Sequence, residues 1–162
     1  MRNRTRGWVL ALALLLAFPL CLSALDRRDF DRVVDFSVTL KTLAGLSEHQ
    51  ARGLAGRLLL LDGTVAGLQF LDPKEASFAV ELELVGGEWI GEEDVKIYRC
   101  RVRFSGPLFF DRFPRRAPRF PSPEQILLND RLLVVARLAG RTASEDGSPL
   151  WVLDGLYARP LR

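Results

Sequence analysis

The sequence contains few of the side chains that many catalytic and metal sites need. It has one histidine, His49, and two cysteines, Cys21 and Cys100. A Ser-His-Asp or Cys-His arrangement would have to use His49, and no motif of either kind surrounds it. A structural zinc site usually takes four cysteine or histidine ligands, and no glycine-rich phosphate loop of the GxxxxGK type occurs. The composition therefore argues against enzymes of these classes, against a metal site and against a cofactor.

The chain begins with a pattern typical of a secretory signal peptide. MRNRTR carries three arginines and no acid, and an uninterrupted apolar run follows from Trp8 to Phe18. This run is shorter than the about 20 residues that span a bilayer. We therefore predict a signal peptide at residues 1–24 and an exported protein, periplasmic or otherwise extracytoplasmic. It would meet a membrane only through an uncleaved leader or through lipidation at Cys21.

Without this leader the chain has no excess of positive charge. Three of its 23 basic residues lie in the leader, and the remaining 20 equal the number of acidic residues. Proteins that bind nucleic acid usually carry a sustained basic excess, and an exported protein rarely meets nucleic acid. The balance of charge therefore speaks against nucleic acid as a partner. Cys100 is then the one thiol left, so burial rather than an internal disulfide must hold the fold.

Residues 25–57 form an N-terminal segment whose pattern fits both a strand and a helix. VDFSVTLK at 34–41 alternates apolar and polar residues, whereas Phe30, Val33 and Leu40 fall near one helical face. We favour a helix over 30–45, with Asp29 as its cap. SEHQARGLAG then predicts a short helix or loop that ends at a glycine.

From residue 58 onward the pattern is that of β-strands. LLLLDGTVAGLQFL predicts a long strand with a glycine bend. SFAVELELV and VKIYRCRVRF alternate as half-buried strands do, with GGEWIGEED as the connection between them. RLLVVARLAG and LWVLDGLYA complete five strands. The five predicted strands occupy residues 58–71, 77–85, 95–104, 131–140 and 150–158.

The second and third of these strands are predicted to form a hairpin with charged residues on its outer face. Glu81 and Glu83 would lie opposite Arg99, Arg101 and Arg103. Each such pair of opposite charges contributes about 0.2–1 kcal/mol. The arginine row therefore has an explanation within the fold.

This order of elements resembles the OB-fold, a small Greek-key barrel with an irregular or helical segment between its third and fourth strands. The residues that carry the resemblance are GTVAGLQF, the hairpin from SFAVELELV to YRCRVRF, NDRLLVVARLAG and LWVLDGLYARP, over about 58–160. The predicted fold class is mainly β: a five-stranded OB-like barrel at 58–162 behind an N-terminal helical segment. The resemblance implies ligand binding on the face of strands two and three. Since no aromatic residue is predicted on that face, stacking of nucleic-acid bases is not expected.

Two features are candidates for a binding site. RFPRRAPRFPSP at 112–123 holds four prolines, which exclude a regular helix, and phenylalanines that we expect to pin it across the barrel. Its arginines would then form an exposed cluster: Arg112, Arg115, Arg116 and Arg119. Trp89 lies near the tip of the predicted hairpin, where it either stands exposed as an anchor for a partner or folds back to cap the barrel.

These features predict a non-enzymatic, exported OB-like binding module. It would bind an envelope partner protein or an anionic polymer through the loop 112–123 and the hairpin at Trp89. Two alternatives stay open. The first is a purely structural envelope protein, and the second is a small hydrolase that uses the carboxylates of Asp111, Glu124 and Asp130.

Overall fold

The computed structural model describes residues 34–144 and 147–162. The predicted signal peptide, Cys21 and the predicted cap Asp29 lie outside the described residues, so the predictions of export and of the leader's fate stay predictions. Within the described part of the chain, no helix combines the length and apolar character that a membrane span requires.

Five strands form a closed barrel. After a short N-terminal strand, β1 Val34–Asp35, the barrel strands are β2 Leu58–Asp72, β3 Ala79–Ile90, β4 Asp94–Ser105, β5 Arg131–Ala143 and β6 Pro149–Pro160. Neighbouring strands of the barrel pair antiparallel, except for a short parallel contact between β4 and β6. The order is β2-β3-β4-β6-β5, and β2 also pairs with β5 and so closes the sheet. This confirms the predicted fold class, mainly β with a five-stranded Greek-key barrel.

Strand β2 closes the barrel because it bends. Its first half pairs with β5 up to Thr64, and its second half pairs with β3 from Thr64 onward. Gly63 lies at this change of partner, where a Cβ atom would stand 2.7 Å from the side chain of Leu84 and 2.9 Å from the carbonyl oxygen of Val85. Only glycine allows the two backbones to approach this closely. The predicted glycine bend is therefore present.

The inner faces of the strands fill the barrel. Alternate side chains point inward, as strand geometry requires, and burying each large apolar one contributes about 1.5–3 kcal/mol. The fully buried set includes Leu59, Leu61, Leu82, Leu84, Cys100, Val102, Phe104, Leu132, Val134 and Leu153.

The N-terminal segment contains less helix than predicted. Val34–Asp35 forms a short strand, β1, parallel to the start of β2. The Asp35 carboxylate accepts hydrogen bonds from the backbone N–H (2.9 Å) and the hydroxyl (2.6 Å) of Ser37. Such a local bond competes with helix formation. The prediction of a helix over 30–45 is therefore wrong for residues 34–39, because the first helix begins only at Leu40.

Two short helices follow β1. Helix α1, Leu40–Ala44, begins after Thr39, which forms a capping box with Thr42. Helix α2, Glu48–Gly53, begins after Ser47, which does the same with Gln50. The capping bonds satisfy backbone N–H groups at each start. These helices confirm a helical segment N-terminal to the barrel. Of the two alternatives for SEHQARGLAG, a short helix or a loop, α2 is the helix.

The segment between β4 and β5 replaces the helix of a standard barrel with a 3₁₀ helix, Pro107–Arg112, and an irregular chain. Phe113 is 1% exposed and packs with Phe78 and Phe104 at ring-centroid distances of 6.4 and 5.3 Å. Phe113 therefore pins the loop to the core, as predicted. Phe120 does not, because its ring is 82% exposed and lies against the guanidinium of Arg119 instead.

Candidate functional site

The outer face of the β3–β4 hairpin joins a charged half to an apolar half. The register pairs Glu81 with Arg103 and Glu83 with Arg101 near the barrel, and Gly87 with Ile97 and Trp89 with Val95 near the tip. Side chains two residues apart share one face. All of these positions therefore lie on one continuous surface, which we call the hairpin face.

This surface is longer than the sequence pattern indicates. Strand β3 continues to Ile90 and β4 begins at Asp94, although GGEWIGEED predicts a connection there. Trp89 consequently lies within a strand, on the same face as Arg99. The prediction that this face lacks an aromatic residue is wrong, because the two glycines at 86 and 87 do not end the strand.

The arginines of the hairpin face are held by ion pairs. Glu81, which is 6% exposed, accepts from Arg103 Nε at 2.7 Å and from Arg101 Nη1 at 3.0 Å, and Arg99 Nη1 lies 3.5 Å from Glu83. This confirms the predicted cross-strand pairing of charges. The side chains of the three arginines are partly exposed and form a row whose orientation is fixed by the two glutamates.

The apolar half of the hairpin face extends beyond the barrel. Pairing of β3 with β2 ends at Val85, and pairing of β4 with β6 begins at Arg101. The two strands therefore continue alone toward the tip. Trp89 is 71% exposed there, beside the exposed side chains of Val95 and Ile97. Of the two alternatives for Trp89, the structure shows the exposed one.

The opposite side of the hairpin is fixed to helix α1. Glu88 accepts hydrogen bonds from Lys41 Nζ at 2.7 Å and from the Tyr98 hydroxyl at 3.0 Å. The hydrogen bond from Lys41, together with that from Tyr98, lowers the pKa of Glu88 below its usual value. The same contact with Glu88 raises the pKa of Lys41. Both groups therefore stay charged around neutral pH, and the contact links the hairpin to helix α1.

The loop arginines do not join the hairpin face. Arg115, Arg116 and Arg119 are exposed and form no ion pair within the described residues. Arg115 lies beside Pro73 and Phe78, near the start of β3, whereas Trp89 lies near its end. The structure therefore places the two predicted binding features at opposite ends of the hairpin.

Arg112 does not belong to the exposed cluster. Its Nη2 donates to the carbonyl oxygen of Ala158, and its guanidinium lies 5.4 Å from the ring centroid of Tyr157. Ala158 lies in a part of β6 that does not pair with β4. The prediction of four exposed arginines is thus wrong for Arg112, because its side chain contacts Ala158 and Tyr157, which lie far along the chain and cannot be inferred from the local sequence.

The carboxylates of the hydrolase alternative do not form a catalytic cluster. The Asp130 carboxylate accepts from the backbone N–H of Leu127 at 2.8 Å and pairs with Arg162 Nη2 at 2.7 Å. Asp111 and Glu124 are exposed. In the described ranges, 34–144 and 147–162, no group of three or more His, Cys, Asp and Glu side chains could hold a metal ion.

Cys100 is expected to be inert in the folded protein. It is fully buried between β-strands, and this burial, with a smaller effect of Glu83, raises the pKa of its thiol to about 12. A protonated, inaccessible thiol does not react as a nucleophile. In a Cys21→Ser variant, iodoacetamide should modify the protein in urea and leave it unmodified in buffer, as read by mass spectrometry. Rapid modification in buffer would contradict this burial.

Comparisons with known proteins give similarity of structure only. No protein-family model matches the chain, and no curated protein matches it in sequence. A small single-stranded DNA-binding protein from Streptomyces coelicolor has 17% identity and a TM-score of 0.39, over 64% of this chain and 91% of the other. The Plasmodium falciparum SSB in complex with ssDNA has 13% identity and a TM-score of 0.42, over 65% and 94%. The single-stranded DNA binding protein from Thermus aquaticus has 16% identity and a TM-score of 0.40, over 65% of this chain and 49% of the other.

At these identities the likeness concerns the fold alone, and the strand order decides what that fold is. Three antiparallel strands are followed by a crossing segment and two further strands, and the first strand pairs with both the second and the fourth. The chain has an OB-like fold. In OB-folds the face of the second and third barrel strands is a common place for oligonucleotides and oligosaccharides. Here those strands are β3 and β4, so the hairpin face occupies that place.

The comparisons also correct two predictions. The prediction of an envelope partner protein or anionic polymer bound through the loop 112–123 and Trp89 is wrong, as is the prediction that nucleic acid is not a partner to expect. The OB-folds found to be similar are single-stranded DNA-binding proteins, one of them in complex with ssDNA. The physical reason for the second error is Trp89, which supplies the hairpin face with the aromatic surface that the shorter predicted strands leave out.

Proposed function

We propose that the protein is a non-enzymatic module that binds single-stranded nucleic acid along the hairpin face. The observation that carries the proposal is the position of Trp89, 71% exposed and on the same face of the same two strands as Arg99, Arg101 and Arg103. Proteins that bind single strands combine aromatic rings, on which bases stack, with cations that follow the backbone. The hairpin face provides both.

The apolar half would take a base. Stacking of one base on an aromatic side chain contributes about 1–3 kcal/mol. Val95 lies directly opposite Trp89 and Ile97 lies on the same face, so the indole has an apolar border. Glu88 on the opposite side of β3 bonds to Tyr98 of β4 within the hairpin and to Lys41 of helix α1, so Trp89 is presented on a strand pair that contacts the helix.

The charged half would take the phosphates. Each arginine can donate charge-assisted hydrogen bonds to a phosphate oxygen. Glu81 and Glu83 orient the arginines but also compete with phosphates for them. Each phosphate contact releases counterions from the strand, so binding should weaken as the salt concentration rises. Three phosphate contacts on a single strand correspond to a slope of about −2 in a plot of log K against log salt.

Fluorescence anisotropy with a labelled oligothymidine of about 16 nucleotides, the upper end of OB-fold site sizes, tests the proposal. Trp89→Ala should weaken binding by about tenfold, the loss of roughly 1.4 kcal/mol of stacking. Arg99→Gln, which removes the arginine with the longest of the three ion pairs, should weaken binding and make the salt slope shallower by about 0.7.

Two control variants match these substitutions. Phe120→Ala removes an aromatic residue that is 82% exposed but lies in the loop, and Arg137→Gln removes an exposed arginine of β5. Both should bind as the parent chain does. No binding by the parent chain, or equal losses in the test and control variants, would refute the proposal.

A further inference from the structure

A cavity lies at the end of β6, away from the hairpin tip. A cavity of about 620 Å³ separates the last residues of β6 from the proline-rich loop. Its wall contains three arginines, one tyrosine and one acid, with prolines between them: Arg112, Tyr157, Arg159, Arg162 and Glu124. The cavity borders the part of β6 that follows Asp154, the last residue of β6 to pair with β4. It shares no residue with the hairpin face.

An aromatic ring is held in place in this wall. Tyr157 is on the outer face of β6, opposite Val135, and is 49% exposed. The guanidinium of Arg112 lies 5.4 Å from its ring centroid and is itself held by the carbonyl oxygen of Ala158. A cation therefore covers one part of the ring, and the exposed part is a surface on which another planar group can stack.

The arginines of the wall differ in what engages them. Arg162 is fixed by the Asp130 carboxylate at 2.7 Å and by the carbonyl oxygens of Gln125 at 2.8 Å and Ser122 at 3.2 Å. Arg112 is fixed as described, although its Nε is buried and makes no hydrogen bond within the described residues. The side chain of Arg159 is exposed and has no hydrogen bond or ion pair with other described residues.

The charges around the cavity favour an anion. Three arginines face Glu124, and Asp130 lies behind Arg162 in an ion pair. Arg159 is free to donate two parallel hydrogen bonds to a phosphate. It stands on the same face of β6 as Tyr157, two residues away, at the spacing of about 7 Å that strand geometry gives. One ligand can therefore contact the ring and the guanidinium together.

We propose that this cavity binds a nucleoside phosphate, with its base against Tyr157 and its phosphate at Arg159. The same chemistry is offered by a free mononucleotide and by the phosphorylated end of a strand. The proposal uses residues other than those of the hairpin face and does not rest on the function proposed above.

Isothermal titration calorimetry of the full chain with adenosine monophosphate tests this site. Saturable binding is expected, and Arg159→Gln should weaken it at least about tenfold, because a charge-assisted contact is lost. Tyr157→Leu should weaken it about five- to tenfold through lost stacking. Arg137→Gln, an exposed arginine of β5 outside the cavity, should leave it unchanged. Adenosine without phosphate, and inorganic phosphate without a base, should each bind at least about tenfold more weakly than the nucleotide.

Further arms identify the source of the ligand and separate the two proposals. Stronger binding of a 5′-phosphorylated oligothymidine than of the unphosphorylated one, with the difference lost in Arg159→Gln, assigns the site to strand ends. Equal binding of the two oligonucleotides, with the mononucleotide still bound, assigns it to free nucleotides. Trp89→Ala should not affect the mononucleotide. Absence of saturable binding, binding unchanged in Arg159→Gln, or loss of binding in Trp89→Ala would overturn this inference.

The two proposals can fail separately. Suppose that Arg99→Gln and Trp89→Ala weaken oligothymidine binding but the parent chain shows no saturable nucleotide binding. That result would support the hairpin face and refute the nucleotide site. Arg159 is exposed and unpaired with other described side chains, so Arg159→Gln is expected to fold as the parent chain does. Its result therefore decides the matter even if Tyr157→Leu unfolds.

Discussion

Phe113→Ala is expected to lower the free energy of unfolding by about 3–5 kcal/mol, the usual cost of removing a buried phenylalanine. Phe113 belongs to the proline-rich loop, yet it is 1% exposed and packs between Phe78 and Phe104. Its removal would leave a cavity, and Phe78 and Phe104 cannot move into it without losing their contacts with Phe110 and Phe109. For a domain whose total stability is typically about 5–15 kcal/mol, this is a large fraction.

Urea unfolding followed by circular dichroism measures the effect. Phe120→Ala is the matched control, since it makes the same change seven residues later in the same loop at a side chain that is 82% exposed. It should stay within about 0.5 kcal/mol of the parent chain. Equal and small effects of the two substitutions would show that the loop is not part of the core.

Gly155→Ala is expected to destabilise the barrel by about 1–3 kcal/mol or more, because it overfills the core. A Cβ atom at Gly155 of β6 would clash with three atoms of the Phe104 ring. Phe104 cannot easily move aside, since Phe109 and Phe113 pack against it at centroid distances of 5.0 and 5.3 Å. Either β6 or the Phe104 ring must therefore shift.

The same unfolding measurement gives a direct test of this contact. Gly140→Ala is the control, because Gly140 of β5 has no atom within 4 Å of the position of its Cβ. Phe104→Leu alone should destabilise the protein, but combined with Gly155→Ala it should cost less than the sum of the two single changes, because the clash is relieved. Strict additivity would mean that the two positions do not meet.

The strand pattern could be predicted from the sequence because it depends on local alternation. Leu82 and Leu84 against Glu81 and Glu83 define an inner and an outer face whatever their partners are. The cross-strand ion pairs follow from that alternation and from the hairpin register. The fold class is accordingly the part of the prediction that the structure confirms.

The features that were missed depend on distant contacts or on where strands end. Gly86 and Gly87 suggest a turn, yet Gly86 continues the strand where Leu40 of helix α1 packs against it. Trp89 is thereby carried onto the outer face. Arg112 resembles its neighbours in sequence, but its partner is the carbonyl oxygen of Ala158, which lies far along the chain. No local pattern encodes either contact.

In the N-terminal segment, too, local signals could be predicted from the sequence and distant contacts could not. The capping residues Thr39 and Ser47 are a local signal, and both helices begin directly after them. The parallel pairing of Val34 with Leu58 is tertiary, and it overrides the helical periodicity of the residues around it. Hydrophobic periodicity alone cannot show which residues will pair with a strand elsewhere in the chain.

The closure of the sheet by β2 has a consequence for how the chain folds. The β3–β4 and β5–β6 hairpins join neighbouring parts of the chain, whereas Leu58 pairs with Arg137 across most of the barrel sequence. Bringing such distant strands together costs loop-closure entropy before any contact repays it, and non-local topologies fold more slowly for this reason. We therefore expect the two hairpins to form early, and the pairing of β2 with β5 to be the slow step of folding.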